Sequence, residues 1–159
     1  MSKSALLSLI FCCNIAFANC SYQSHVEYLW NKVSHERQID STAGFLPQDV
    51  KEFLTSSASV MEEGDRLLLA FYPTECGFDS LVSKKEAFTD LQEFYPLVHE
   101  LGFKVIFCMP QHHLAQFEDP EQIKDFVCNT FQSDLSEENP PLRFPTKIVL
   151  AELQKKLRS

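Results

Sequence analysis

Basic residues are scarce in this chain. Of its 159 residues, 14 are Lys or Arg against 22 Asp or Glu, a formal net charge of −8. A surface of that sign disfavours phosphate backbones and anionic lipid as partners, and no basic block interrupts it. Glycine (4) and proline (8) are too few for a low-complexity chain. No internal repeat occurs, and no Cys/His spacing matches a zinc site. His112 and His113 are adjacent, so on regular backbone they point in different directions and do not begin a metal set. A hydrophobic content of 45% is ordinary for a globular fold, and the length suits one domain.

The N-terminus reads as a targeting segment. Lys3 supplies a positive start, 5–15 is mostly apolar but too short to span a bilayer, and Ala16-Phe17-Ala18 is a cleavage signal. The expected organisation is a signal peptide over 1–18, an N-terminal segment over 19–64 and a domain over 65–159. The mature chain would be secreted or sit in a secretory lumen, without a membrane span. Cleavage removes Cys12 and Cys13 and leaves Cys20, Cys76, Cys108 and Cys128, which an oxidising compartment allows to pair in any of three full combinations.

Along the chain, 26–33 carries apolar residues at helical spacing around Trp30, the only tryptophan, which reads as core. A second helix is expected over 47–54, then loop and turn at 56–59 and 62–65. Residues 66–72 read as a buried strand. Phe88, Leu91, Val98 and Leu101 predict a long helix ended by Gly102. A second strand is expected over 103–109, followed by loop. Asp119, Pro120 and Gln122 form an N-terminal helix signal for a helix to about 132. A third strand over 144–150 and a terminal helix over 151–157 complete the pattern. Strands joined by helices predict right-handed parallel crossovers, and Pro145 suits an edge or a special turn.

Cys76 is the residue that carries most chemical information. It follows the first strand and lies in the turn Pro73-Thr74-Glu75-Cys76-Gly77-Phe78. A thiol at a strand-to-helix junction meets free backbone N–H groups and a helix dipole, which favour the nucleophilic thiolate. The plain alternative is a buried small hydrophobe. Cys128 has the same alternative, lying beside Phe126, Val127 and Phe131. Cys108 ends an apolar strand and reads as buried.

The order of pieces from the first strand through Glu75-Cys76-Gly77-Phe78, Phe107-Cys108-Met109-Pro110-Gln111, the segment 119–131 and Phe144-Pro145-Thr146 resembles the thiol-dependent glutathione peroxidase family. The resemblance covers 66–150. It implies an α/β, thioredoxin-like three-layer fold, shortened at its C-terminus. It implies a peroxidase acting on hydrogen peroxide or organic hydroperoxides in the response to oxidative stress. Cys76 would form a sulfenic acid, Cys128 would condense with it, and Gln111, or in its place Gln116, would donate to the thiolate. No prosthetic cofactor is implied; the reductant would be glutathione or a thioredoxin-type protein. The family's Trp-Asn-Phe segment has no match after the third strand, which implies a weak or inactive enzyme, since one lost donor costs about 100-fold in rate. Two other readings compete. One is a disulfide-isomerase-like thiol oxidoreductase, with Pro145 cis beside Cys76 but no second cysteine in the turn. The other is a non-catalytic secreted domain with permanent disulfides.

Overall fold

The computed structural model describes residues 21–38, 44–45, 47 and 49–157. The leader-like segment 1–18 and Cys20 lie outside them. The elements are α1 (Ser21–Glu36), β1 (Gly44–Phe45), α2 (Val50–Val60), β2 (Arg66–Phe71), α3 (Leu91–Glu100), β3 (Phe103–Gln116), α4 (Pro120–Phe131) and β4 (Arg143–Lys155), with a 3₁₀ turn at Lys85–Ala87. The class is mixed α/β.

Local chemistry sets the helix ends. Asp49, Asp90 and Asp119 cap α2, α3 and α4, each accepting a backbone N–H of the first turn. Pro120 takes the first-turn place where no N–H is needed. The Gln122 side chain reaches back to the Glu118 N–H. Gln132 ends α4 in the left-handed conformation, and Gly102, at φ +86, follows α3. The third helix starts at Leu91 rather than Phe88, because Thr89 is held extended against Pro73 and Asp90 supplies the cap.

The sheet order is β1-β2-β4-β3. The short β1 runs parallel to β2, and β4 runs antiparallel to both β2 and β3. Every β2 side chain from Leu67 to Phe71 is buried. Leu68 and Ala70 face α1 and α4, while Leu67, Leu69 and Phe71 face α2 and α3. Burial on both faces explains why this strand reads as one continuous apolar run.

Three expectations are corrected here. The chain over 151–157 is not a helix; β4 continues to Lys155 because Leu150, Ala151 and Leu153 find partners on β2 and β3 at once. The loop expected after Met109 is strand to Gln116, paired residue for residue with Arg143 to Leu150. The second and third strands are antiparallel neighbours, not a parallel crossover, and β4 separates β3 from β2. Pro145 does lie within β4, but in the part beyond the reach of β2, whose ladder ends at Phe71 and Val149. Its missing N–H therefore breaks no β2 pairing.

Two ionic ties hold helices to this sheet. Glu152 is 0% exposed and takes Arg37 Nε at 2.7 Å and Arg66 Nη1 at 3.0 Å, the two arginine side chains being 40% and 38% exposed. Arg37 also lies over the Phe107 ring, so the end of α1 is fixed to β3 and β4 together. On the opposite face Lys155 Nζ donates to the carbonyls of Ala58 and Leu101, one ammonium serving the C-termini of α2 and α3.

Candidate functional site

The Cys76 turn leaves β2 through Tyr72 and Pro73. Thr89 anchors it by exchanging backbone bonds with Tyr72 and Thr74, both at 3.1 Å. Glu75 at φ 65 and Gly77 at φ 103 then reverse the chain tightly. The Gly77 N–H donates to Asp79 Oδ1, and Lys147 N–H donates to the Cys76 carbonyl at 2.9 Å. A Cβ at Gly77 would stand 2.3 Å from the Pro145 carbonyl oxygen, so only glycine allows β4 this close. Pro145 thus lies against the turn as the isomerase-like reading expects, but no cis peptide bond occurs among the described residues.

No helix follows the turn. Residues 73–84 are turns and bends, and α3 begins only at Leu91. The helix dipole expected to favour the thiolate is therefore absent. Backbone N–H groups of Phe78 and Asp79 do point at the sulfur, and each lowers the thiol pKa. Burial outweighs them, and the Asp79 charge adds to it, so the thiol is pushed up to about 12. At pH 7 roughly one molecule in 10⁵ would carry the thiolate.

Phe78 explains the burial. Its ring meets Tyr72 at 5.7 Å, Phe126 at 5.2 Å, Phe131 at 5.5 Å and Phe144 at 5.1 Å. These partners come from the end of β2, from α4 and from β4. The aromatic plug closes over Cys76, which is 1% exposed. In the sequence Phe78 is only the last residue of the turn, and among fourteen phenylalanines no local pattern marks which rings converge on it.

The other expected participants are not gathered around this sulfur. Cys128 is a free, exposed thiol on α4, while Phe126, Val127 and Phe131 of the same helix turn inward toward Cys76. It is not the core residue of the plain alternative. Gln111, on the edge strand β3, pairs with Ile148 of β4, and no described hydrogen bond joins it to Cys76. Gln116 closes β3 opposite Arg143. Cys108 is half-buried on the α3 side, where the Tyr95 hydroxyl donates to its sulfur; burial raises the Cys108 thiol and this bond partly offsets it. The three described cysteines are all free. No group of three or more His, Cys, Asp or Glu gathers as a metal site among the described residues.

A different feature opens between α2 and α3. A groove of about 330 Å³ runs between the start of α2 and the length of α3. Val50, Phe88, Phe94 and Leu97 form its floor, and Thr89, the anchor of the Cys76 turn, lines its end. Asp49, Glu86, Glu93 and Glu100 stand on the rim against a single lysine, Lys51. Asp49 is engaged as the α2 cap, whereas no described ion pair reaches Glu86, Glu93 or Glu100. A second cleft, of about 620 Å³, lies beside Met61, Gly102 and Leu157. Its rim is balanced, with Glu62 and Glu63 against Lys155 and Lys156, and Lys155 is already committed to two helix ends. No helix among the described residues is long and apolar enough to cross a membrane.

No protein family matches the chain, and no curated protein does. A solved structure that does match is a Bacillus halodurans protein provisionally described as a methyltransferase. It shares 14% identity over 72% of this chain at a TM-score of 0.45, and the chain spans 64% of that protein's length. A likeness this loose carries no activity over to this chain. The expected membership of the glutathione peroxidases is nevertheless overturned. No family model and no curated protein of that kind matches, the expected nucleophile is buried with its thiol pKa raised, and its expected resolver faces solvent. Burial of the Cys76 thiol likewise opposes the peroxide-reducing and disulfide-isomerase-like readings, with their peroxide substrate and glutathione or thioredoxin reductant, and they are not carried further.

Proposed function

We propose that this chain is a binding domain without thiol chemistry, and that the groove between α2 and α3 seats its partner. The carrying observation is the groove's position. It lies between α2 and α3, where Val50, Phe88, Phe94 and Leu97 make an apolar floor inside a ring of polar side chains, the usual make-up of a ligand cleft. Three rim carboxylates without a described ionic partner add to it. The Cys76 turn then has a structural role, since through Thr89 it braces the groove's end. Within the mixed α/β class, we read the scaffold as a rearranged thioredoxin-like sheet. The lone reversed strand β4, and Pro145 seated on the turn after β2, support that reading; β3 at the far edge departs from it.

Protein-observed NMR with a set of small organic fragments tests the binding reading. Shifts should concentrate on the amides of Val50, Thr89 and Leu97. Fragments that gather elsewhere, or a Cys76 that consumes hydrogen peroxide at neutral pH, would refute it.

A further inference from the structure

We infer that the groove recognises a basic, amphipathic segment of a partner protein. This rests on the reading of the groove as a binding site and adds the chemistry of its occupant.

The first observation is spacing. Glu93 and Glu100 are seven residues apart on α3, and Glu86, on the 3₁₀ turn that precedes the helix, lines the same groove. Glu93 and Glu100 lie two turns apart on α3, so their Cα atoms are separated by about 10 Å along the helix. Leu97 sits between them on that face, over Phe94. The wall therefore alternates carboxylate, apolar contact, carboxylate. A segment with lysine or arginine at matching intervals places its cationic heads on the carboxylates. Its aliphatic stems and an intervening apolar residue lie along Leu97 and Phe88.

The second observation is that the fold gains nothing from one of these charges. Glu100 is the last residue of α3, where the helix dipole is negative and a carboxylate is unfavourable. The described cations at that helix end serve other acceptors: Lys155 holds the carbonyls of Ala58 and Leu101, and Lys156 contacts His99 Nδ1 at 3.0 Å. A cationic ligand relieves this arrangement. The second cleft has no such excess, because its two acidic and two basic rim residues balance. A nucleic acid or an anionic vesicle would be repelled from the same wall.

The experiment uses a fluorescent synthetic peptide with lysine at every seventh residue and leucine between, titrated into the full chain by anisotropy. Saturable binding should weaken steeply with salt. It should fall at least ~10-fold in Glu93→Gln/Glu100→Gln, as expected when opposing charges are deleted. Glu100→Gln alone should raise Tm while lowering affinity, a combination that damage to folding cannot produce. Glu137→Gln/Glu138→Gln, in the exposed α4–β4 loop, should leave affinity unchanged. The inference is overturned if that control loses as much affinity as the groove variant, or if spermine binds as tightly as the peptide. Either result would mean simple attraction to an acidic surface. It is also overturned if the peptide fails to bind. Where small fragments still shift Val50, Thr89 and Leu97, that failure removes only the basic segment; where they do not, the binding reading falls with it.

Discussion

Replacing Cys76 by alanine should change how stability depends on pH, by an amount that follows from the sealed thiol. Burial raises this group from an ordinary 9.0 to about 12. Between those values the native protein keeps a proton that the unfolded chain releases. Stability is therefore fully present below pH 9 and falls as pH rises toward 12. Three decades of proton affinity correspond to about 4 kcal/mol in total, with about 3 kcal/mol already lost by pH 11. The side chain is 1% exposed, so solvent screening takes little of this away. Removing the sulfur leaves a small cavity, which costs about 1 kcal/mol at neutral pH. Urea unfolding of the two proteins across alkaline pH should then show the wild type ahead at pH 8. The curves should meet at about pH 10, with the variant ahead beyond it. Other titrating groups affect both proteins and cancel in the difference. A stability difference that stays constant up to pH 11 would refute the argument, since it would mean that the thiol ionises as readily folded as unfolded.

Thiol mapping should follow burial: a disulfide reagent at neutral pH modifies Cys128 first and Cys108 slowly, and reaches Cys76 only after denaturant is added, as peptide mass spectrometry will show. Gly77→Ala should destabilise the fold by about 3 kcal/mol or more or abolish it, because the new Cβ meets the Pro145 carbonyl; Gly64→Ala, whose Cβ has only Leu157 at 3.9 Å, should cost about 1 kcal/mol in the same melts. Removing both Arg37 and Arg66 should cost about 3–5 kcal/mol, since Glu152 is then a buried charge without its partners. Glu152→Gln should cost less, about 1.5–3 kcal/mol, since the arginines it leaves are partly exposed. Equal losses in the two variants would contradict that asymmetry.

The elements were legible in the sequence where local signals decide them. Asp119, Pro120 and Gln122 name the start of α4, Gly102 the end of α3, and the apolar run after Arg66 a strand buried on both faces. Ala151 to Leu157 misled because its residues favour a helix when considered alone. Pairing with β2 and β3 on both sides outweighs that small preference. Strand neighbours were also out of reach. The antiparallel docking of β3 on β4 joins residues separated by a helix and a long loop, and no local pattern records that choice.

The site divides in the same way. The sequence by itself determined that a thiol would sit in a tight glycine turn after the first long strand, on an acidic chain with capped helices. Only the tertiary structure decided what that thiol is. The rings that meet Phe78 come from distant parts of the chain, and together they keep water from the sulfur. A turn can supply N–H donors locally, but dielectric is a property of everything packed around an atom, so burial and ionisation belong to the assembled fold.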